Sequence, residues 1–436
     1  MISLREADLA HVFHPQTNLA SHAESGPLVI SSGEGIWLTD DADNRYLDGM
    51  AGLWCAGLGY SEPRLAEAAA RQFSQLPFSH SFAGRSHEQG IRLAEELTAT
   101  APEGLTRAFF ASSGSEANDT AIKLAWYYWN ARGEPRRKTI IARKRAYHGV
   151  TLASASLTGL PMMHGGFDLP LPWVQHLTSP HHAQQALEGE SEQAFSARLA
   201  AELEATIARL GADTIAAFIA EPVIGAGGVI LPPEGYFAAV QPILQRHGIL
   251  FIVDEVITGF GRTGAMWGAE TYALAPDILT CAKMMTSAYV PLSAVLVLEG
   301  VYQTIASESG KRGGFGHGFT YSAHPVAAAV AREVLAIYSE RDIVGGVAAR
   351  AGQFQARVAA LGQNEKVREA RCVGLLGGIE MRHGPDALKL QMAAQREGLF
   401  VRAVGGDTVA ICPPLIISAA DIDDLFDRLS KAMRTI

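Results

Sequence analysis

The sequence predicts an α/β protein: a large domain with a mostly parallel sheet between helices, plus a smaller α+β domain. Three observations carry this reading. Short apolar runs alternate with helical patterns from about residue 105 onward, and those runs are nearly continuous in apolar residues. After about residue 325 the pattern changes to a long alanine-rich helix, a few strands and a closing helix. Near-continuous runs suit strands buried on both faces, and their alternation with helices suits parallel pairing.

Taken in order, "GIWLTDDADNRYLDGM" reads as a hairpin with strands around 36–39 and 45–47, joined by a turn rich in Asp and Asn. The buried runs are "RAFFA" (107–111), "TIIA" (139–142), "TIAAFIA" (214–220), "GILFIVD" (248–254) and "DILTCA" (277–282). "FFASSGSEANDTAIKLAWYYWNARG" passes from a strand through a Ser/Gly turn into a helix expected over 115–132, stopped by Gly133. Phe195, Leu199, Leu203, Ile207 and Leu210 recur at spacings of three and four, an apolar helix face ended by Gly211. Arg198, Glu202 and Arg209 fall on its other side, which reads as solvated. "ADIDDLFDRLSKAMRTI" is the closing helix.

Composition narrows the function. A chain of 436 residues with 48% hydrophobic and 19% charged content has ample material for a large core. A net charge of -9 without any Lys/Arg run disfavours nucleic acid and anionic membrane as partners. No apolar segment approaches the length of a bilayer span, and Arg5, Glu6 and Asp8 interrupt the first residues where a signal peptide needs an apolar core. A cytoplasmic protein is expected. Cys55, Cys281, Cys372 and Cys412 lie far apart with no CxxC spacing, so reduced thiols are expected and no metal site.

Ligands of open α/β sheets gather at the carboxyl ends of the strands. Here the runs are followed by "SSGSE", "AYHG", "EPV", "DEV" and a lysine. A Ser/Gly turn opening a helix suits a phosphate, because free amides and the positive dipole end converge there. The same turn also reads as an ordinary Ser N-cap with Glu116 in the first turn. Asp254 closes an apolar run, so its carboxylate needs a cationic partner, which Arg262 in the next loop would also satisfy. Lys283 ends the following run, where a solvated strand-end lysine is the alternative. An aspartate, a phosphate-type turn, the aromatic Tyr147 and a terminal lysine at one edge are what pyridoxal 5′-phosphate (PLP) requires.

At this point a family resemblance becomes specific. "VDEVITGFGRTG", the lysine after "DILTCA", "SSGSEAND", "YHGVTLAS", "AEPVIGAGGV" and "HGFTYSAHPVAAA" resemble the class III aminotransferases of PLP fold type I. The motifs run in register from about residue 30 to the C-terminus. "DGMAGLWCAGLGY", "LPFSHSF" and "VRAVGGDTVAICPPLIIS" are most similar to the ω-amino acid and amine:pyruvate aminotransferases, or ω-transaminases. The resemblance implies a PLP-binding domain over 57–325, with 1–56 and 326–436 forming the small domain.

It further implies Lys283 as Schiff-base lysine and proton shuttle, and Asp254 as partner of the pyridine nitrogen. Val256 is expected on one ring face and Tyr147 on the other, with His148 beside it. Gly114 and Ser115 should hold the phosphate, and Glu221 should lie near the ring hydroxyl. Thr320 should reach the phosphate of a neighbouring subunit, which makes a homodimer the catalytic unit and leaves a tetramer open. Trp54, Phe82 and Tyr147 should wall the substrate pocket, and Arg402 should clamp the carboxylate of an oxo acid and swing aside for an apolar donor. Gln16 aligns where many relatives carry an aromatic, and would favour ω-amino acids or taurine-like donors over aryl amines. The implied reaction moves an amino group from an ω-amino acid or primary amine to an oxo acid, taken as pyruvate, with ping-pong kinetics. Decarboxylases and aminomutases of the same fold are the rival reading, disfavoured by "GLWCAGLGY" and Arg402. A non-enzymatic chain with a solvated Lys283 is a third.

The chain also departs from the family pattern. Met284, Ala288, Ser293 and Ala323 stand where many relatives have glycine. The expectation is that the backbone at all four accepts a side chain and that none supplies a functional group.

Overall fold

The apolar runs assemble into a single seven-stranded sheet in a computed structural model that describes residues 2–436. Ahead of it in the chain lie β1 (Ile30–Glu34), β2 (Trp37–Asp40) and β3 (Arg45–Asp48). The central strands are β4 (Leu105–Ala111), β5 (Thr139–Arg143), β6 (Val174–Leu177), β7 (Ile215–Ala220), β8 (Leu250–Asp254), β9 (Ile278–Cys281) and β10 (Ser293–Leu298). Then follow β11 (Val367–Val373), β12 (Leu376–Met381), β13 (Leu399–Phe400), β14 (Arg402–Val404) and β15 (Thr408–Ile411).

The central order is β4-β10-β9-β8-β7-β5-β6. The run from β9 to β6 is parallel, whereas β10 is antiparallel to both β4 and β9. β10 and β6 lie outside the runs singled out above. The 282–292 connection is too short for a helical crossover, so the chain returns beside β9 in the opposite sense. β6 is a half-buried edge strand with the polar sequence "VQHL", which leaves no apolar run to read. Successive residues of the central strands enter opposite cores. Phe218, Phe251 and Leu279 pack on one face, and Ile219, Ile252 and Ile278 pack on the other beneath the helix Gly114–Ala131.

That helix starts one residue earlier than expected, with Ser113 as N-cap accepting from the Glu116 amide at 3.2 Å. The ordinary cap and an open helix start therefore coexist. The helix Glu192–Leu210 buries Phe195, Leu199, Leu203 and Ile207 and ends at Gly211 with φ of 85°. Its far side is not simply solvated: Arg198 pairs with Glu190 at 2.6 Å, and Glu202 accepts from the Thr178 amide at 3.2 Å.

The hairpin forms close to its expected place, with Trp37 opposite Leu47, and β13 adds to β3 in parallel. A chain segment near residue 400 is thus stitched to one near residue 47. β11, β12, β15 and β14 make a third, antiparallel sheet. The alanine-rich helix is Pro325–Glu340 and the closing helix is Ala419–Met433. No helix of the described residues is long and apolar enough to cross a membrane.

Candidate active site

Three chain segments that end or follow β4, β8 and β9 meet around a cavity of about 420 Å³. Ser113, Gly114 and Ser115 form one wall at the helix start, Asp254 and Val256 another, and Lys283 a third, with Tyr147, His148 and Glu221 completing it. A Cβ on Gly114 would come within 3.1 Å of Val256 Cγ1, so glycine keeps the helix start open beside that valine. Ser115 Oγ accepts from the Val150 amide at 3.1 Å, which ties the helix start to the "YHG" loop.

Asp254 is 3% exposed, and both of its oxygens are engaged. Its Oδ2 accepts from Asn118 Nδ2 and pairs with His148 Nδ1, both at 2.8 Å, while Oδ1 accepts from the Val256 amide at 3.0 Å. The alternative partner does not form. Arg262 turns instead to the carbonyls of Leu375 and Pro413 and to Met284 Sδ. His148 therefore pairs with the carboxylate while lining the same cavity as Tyr147. Glu221 accepts from the Tyr147 amide at 3.0 Å and the Gly225 amide at 2.9 Å, and burial pushes its carboxyl above the usual range.

Lys283 opens a 3-10 turn, Lys283–Thr286, and itself has φ of 49°. Its side chain keeps some surface open to the cavity, but packed walls displace bulk water around the ammonium. That burial holds its pKa below the ordinary lysine value. Nζ lies 5.1 Å from the Trp54 ring centroid.

The four departures from glycine divide two and two. Met284 and Ser293 lie outside the left-handed region, whereas Ala288 (φ 67°) and Ala323 (φ 52°) lie in it, so the expectation of a compatible backbone is corrected at those two alanines. Ser293 adds a structural contact. Its hydroxyl donates to the Ser113 carbonyl at 2.7 Å, bracing the helix start from β10. Met284 fills space between Gly57 and Arg262, its sulfur 3.5 Å from Arg262 Nη2.

A second pocket of about 660 Å³ adjoins the first, and the two share Tyr147, Ile257 and Lys283. Its walls include Leu53, Trp54, Leu160, Met162 and Leu388, with Gln16 and Arg402 as polar members. Arg402 is half-buried, its Cζ 5.9 Å from the Trp54 ring. It has no carboxylate partner among the described residues; its one polar contact is Gln16 Oε1 at 3.4 Å. Desolvation lowers its pKa, as expected for a guanidinium without a counter-charge.

Phe82 and Thr320 are not brought to this place within one chain. Phe82 is 46% exposed and lines a different cleft with Phe109, Phe315 and Ser322, because its 3-10 turn, Phe82–Gly84, lies beside the 315–323 loop. Within one chain it therefore does not join Trp54 and Tyr147. Thr320 is exposed on that same loop.

The model of the family described as Aminotransferase class-III matches residues 19–433. The chain belongs to the class-III aminotransferases. It is 47% identical over 421 residues to a probable γ-aminobutyrate transaminase 2, mitochondrial, of Oryza sativa subsp. indica, covering 94% of this chain and 84% of that one. An uncharacterized aminotransferase of Sinorhizobium fredii is 42% identical over 449 residues, covering 99% and 96%. Among solved structures, the ω-transaminase from Pseudomonas jessenii in complex with PMP superposes with a TM-score of 0.98 at 44% identity, covering 100% of this chain and 98% of that one. A structure described as a transaminase with L-Ala gives 0.92 at 50% identity, covering 94% and 99%.

Class-III aminotransferases use PLP, and this chain is a PLP-dependent transaminase of fold type I. The inner cavity suits that cofactor. It offers a carboxylate, an amide-bearing helix start cleared by Gly114, and a buried amine with no carboxylate in ion-pair range among the described residues, each on a separate wall. Sequence reading missed Asn118, which is fixed by Thr280 and grips Asp254. Its signal was an asparagine one turn into a helix, a poor helix former that needs a reason to be there.

Proposed function

We propose that the inner cavity holds PLP against Lys283, Asp254 and the 113–115 helix start, and that the outer pocket takes first an ω-amino acid or primary amine and then an oxo acid. The observation that supports this is the shared wall: both pockets open on Lys283, and the outer one carries an unpaired guanidinium. When bound, the cofactor supplies an electrophilic carbon and an electron-accepting ring. Asp254, gripped by Asn118 and His148, presents its carboxylate to the ring nitrogen. Lys283, with its pKa lowered by burial, moves a proton from the donor carbon and returns it in the second half of the cycle. Val256 and Tyr147 confine the ring, Ser115 and Gly114 meet the phosphate, and Glu221 lies toward the ring hydroxyl. Arg402 binds the acceptor carboxylate as a bidentate pair.

Donor and acceptor follow from chemistry at the outer pocket and from the relatives' names. Gln16 makes one wall polar, and curated relatives are named γ-aminobutyrate transaminases, which supports an ω-amino acid with a distal carboxylate. L-Alanine in a related transaminase structure supports pyruvate as acceptor, since alanine is its amination product. We further propose a homodimer. Phe78, Phe82 and Tyr321 are 41%, 46% and 61% exposed, a patch that a soluble monomer rarely leaves bare, and Thr320 adjoins it. Four free thiols suit a reducing compartment, and we propose the cytoplasm.

The deciding experiment is a panel of β-alanine, γ-aminobutyrate, taurine, putrescine and aryl amines with pyruvate, reading alanine. Alanine from ω-amino acids supports the proposal. Carbon dioxide without alanine would replace it with a decarboxylase, and a chain that stays colourless with added PLP would remove the enzyme reading.

A further inference from the structure

The N-terminal segment brings two imidazoles onto one carboxylate. Asp8 lies on the helix Leu4–His11, His22 on the helix Leu19–Ser25, and His14 on the loop between them. His14 Nε2 is 2.9 Å from both Asp8 oxygens, and His22 Nε2 is 3.2 Å from Asp8 Oδ1. The imidazole centroids are 4.2 Å apart, and one ligand atom from each of the three residues lies within 4.8 Å of the others. The side chains are 18%, 26% and 14% exposed for Asp8, His14 and His22, so the cluster is sheltered yet reachable.

We propose that Asp8, His14 and His22 form a site for a divalent transition metal of the zinc class, which clasps the loop that carries Gln16 into the substrate pocket. A tetrahedral ion with bonds of about 2.0–2.1 Å has ligand–ligand edges of about 3.3 Å. Two edges of this cluster already stand at 2.9 and 3.2 Å and the third lies within 4.8 Å, so an ion needs rotations of these side chains rather than a rebuilt backbone. Two neutral imidazoles and a carboxylate leave a fourth position for water, the usual donor set for zinc outside cysteine sites. A clasp held by hydrogen bonds alone would need only one of the two histidines. Spacing of cysteines carries no signal of such a site, and D-x5-H-x7-H is not a familiar metal motif.

The loop has a reason to be held. Gln16 sits in it with φ of 48°, an unfavourable conformation for a residue with a side chain, and its amide reaches Arg402. Phe13 in the same loop is 84% exposed, so apolar packing of that side chain does not fix the segment. Coordination would lock the loop where burial does not.

The test uses tag-free holoenzyme titrated calorimetrically with zinc, with metal content read after desalting, and Asp8→Asn, His14→Ala and His22→Ala in parallel. The expected result is one equivalent bound by the wild type beyond what any variant retains. Each substitution weakens it at least about tenfold, since even a residue that only orients a metal ligand is worth that much. Cobalt(II) should give the d–d bands of a tetrahedral site in the wild type alone, and zinc should slow proteolysis across residues 12–18. Zinc binding that survives in all three variants, or a wild type that binds no more than they do, overturns the proposal. Asp8→Asn keeps the side-chain shape, so a histidine variant that misfolds does not decide the outcome. Metal content is read without turnover, so failure here is distinct from failure of the transaminase assignment.

Discussion

His148 Nδ1 and Asp254 Oδ2 stand 2.8 Å apart at the end of β8, in a site where His148 is 2% exposed. A carboxylate this deep is held by three donors, His148, Asn118 and the Val256 amide, and keeps acceptor capacity for one more partner. Removing one hydrogen bond to a charged group costs about 1.5–3 kcal/mol. Asn118→Ala and His148→Ala should therefore each slow the amine half-reaction by about ten- to hundredfold. Stopped-flow absorbance of the cofactor reads this, and unchanged rates would remove the pair from the site.

Lys283→Ala should retain PLP weakly, without a bond that borohydride can fix to residue 283, and should lose the half-reaction by at least about a hundredfold. Mass spectrometry after reduction checks the first outcome. An adduct on another lysine would reassign the site.

Arg402→Ala should raise the KM for pyruvate by about tenfold or more, the worth of a charge-assisted pair, while leaving the half-reaction with a donor lacking a carboxylate nearly unchanged. Steady-state kinetics with both substrate types separates these effects. Equal losses in both half-reactions would make Arg402 a structural residue.

The two strained alanines predict stabilising glycines. Left-handed backbone costs a residue with a Cβ about 1–2 kcal/mol, so Ala288→Gly and Ala323→Gly should each raise holoenzyme stability, less the added chain entropy of glycine. Ser293→Gly should do the opposite by about 1 kcal/mol, since it deletes the hydrogen bond to Ser113. Thermal unfolding of the three variants tests the division.

Glu255 gives a pH signature. It is fully buried, accepts from the Gly268 and Ala269 amides at 3.0 and 2.6 Å, and burial pushes its carboxyl up to about 7 from the ordinary 4.5. Between those values the folded chain holds a proton that the unfolded chain has released. Its stabilising contribution is therefore full below pH of about 4.5 and is lost as pH rises through about 7. Denaturant midpoints should fall across that window in the wild type and fall less in Glu255→Gln.

How much of this was legible in the sequence depends on whether chemistry lay at a strand end. Asp254, Lys283 and the 113–115 turn follow apolar runs directly, so position alone marked them. Asn118, Ser293 and His148 act through contacts to those residues from elsewhere in the chain, and nothing local in "ANDT" or "PLSAV" says what each touches. β6 was missed because an edge strand has little apolar surface to hide. Phe82 lies apart from Trp54 and Tyr147 within one chain, and motif order says nothing about which face of a chain a turn reaches. The glycine replacements could not be sorted either, since dihedral angles at Met284 and Ala288 depend on the closed loop around them.

The parallel pairing of β13 with β3 separates two tasks mechanically. Asp254 and Lys283 are rooted in the seven-stranded sheet, whereas Arg402 follows Leu399 and Phe400, which are sewn to Leu47 and Asp48 near the other end of the chain. The arm that senses a carboxylate thus hangs from a different beam than the residues around the cofactor cavity. A shift in residues 45–48 reaches Arg402 through β13 from outside the seven-stranded sheet, which gives substrate range a point of change away from the strands that carry Asp254 and Lys283.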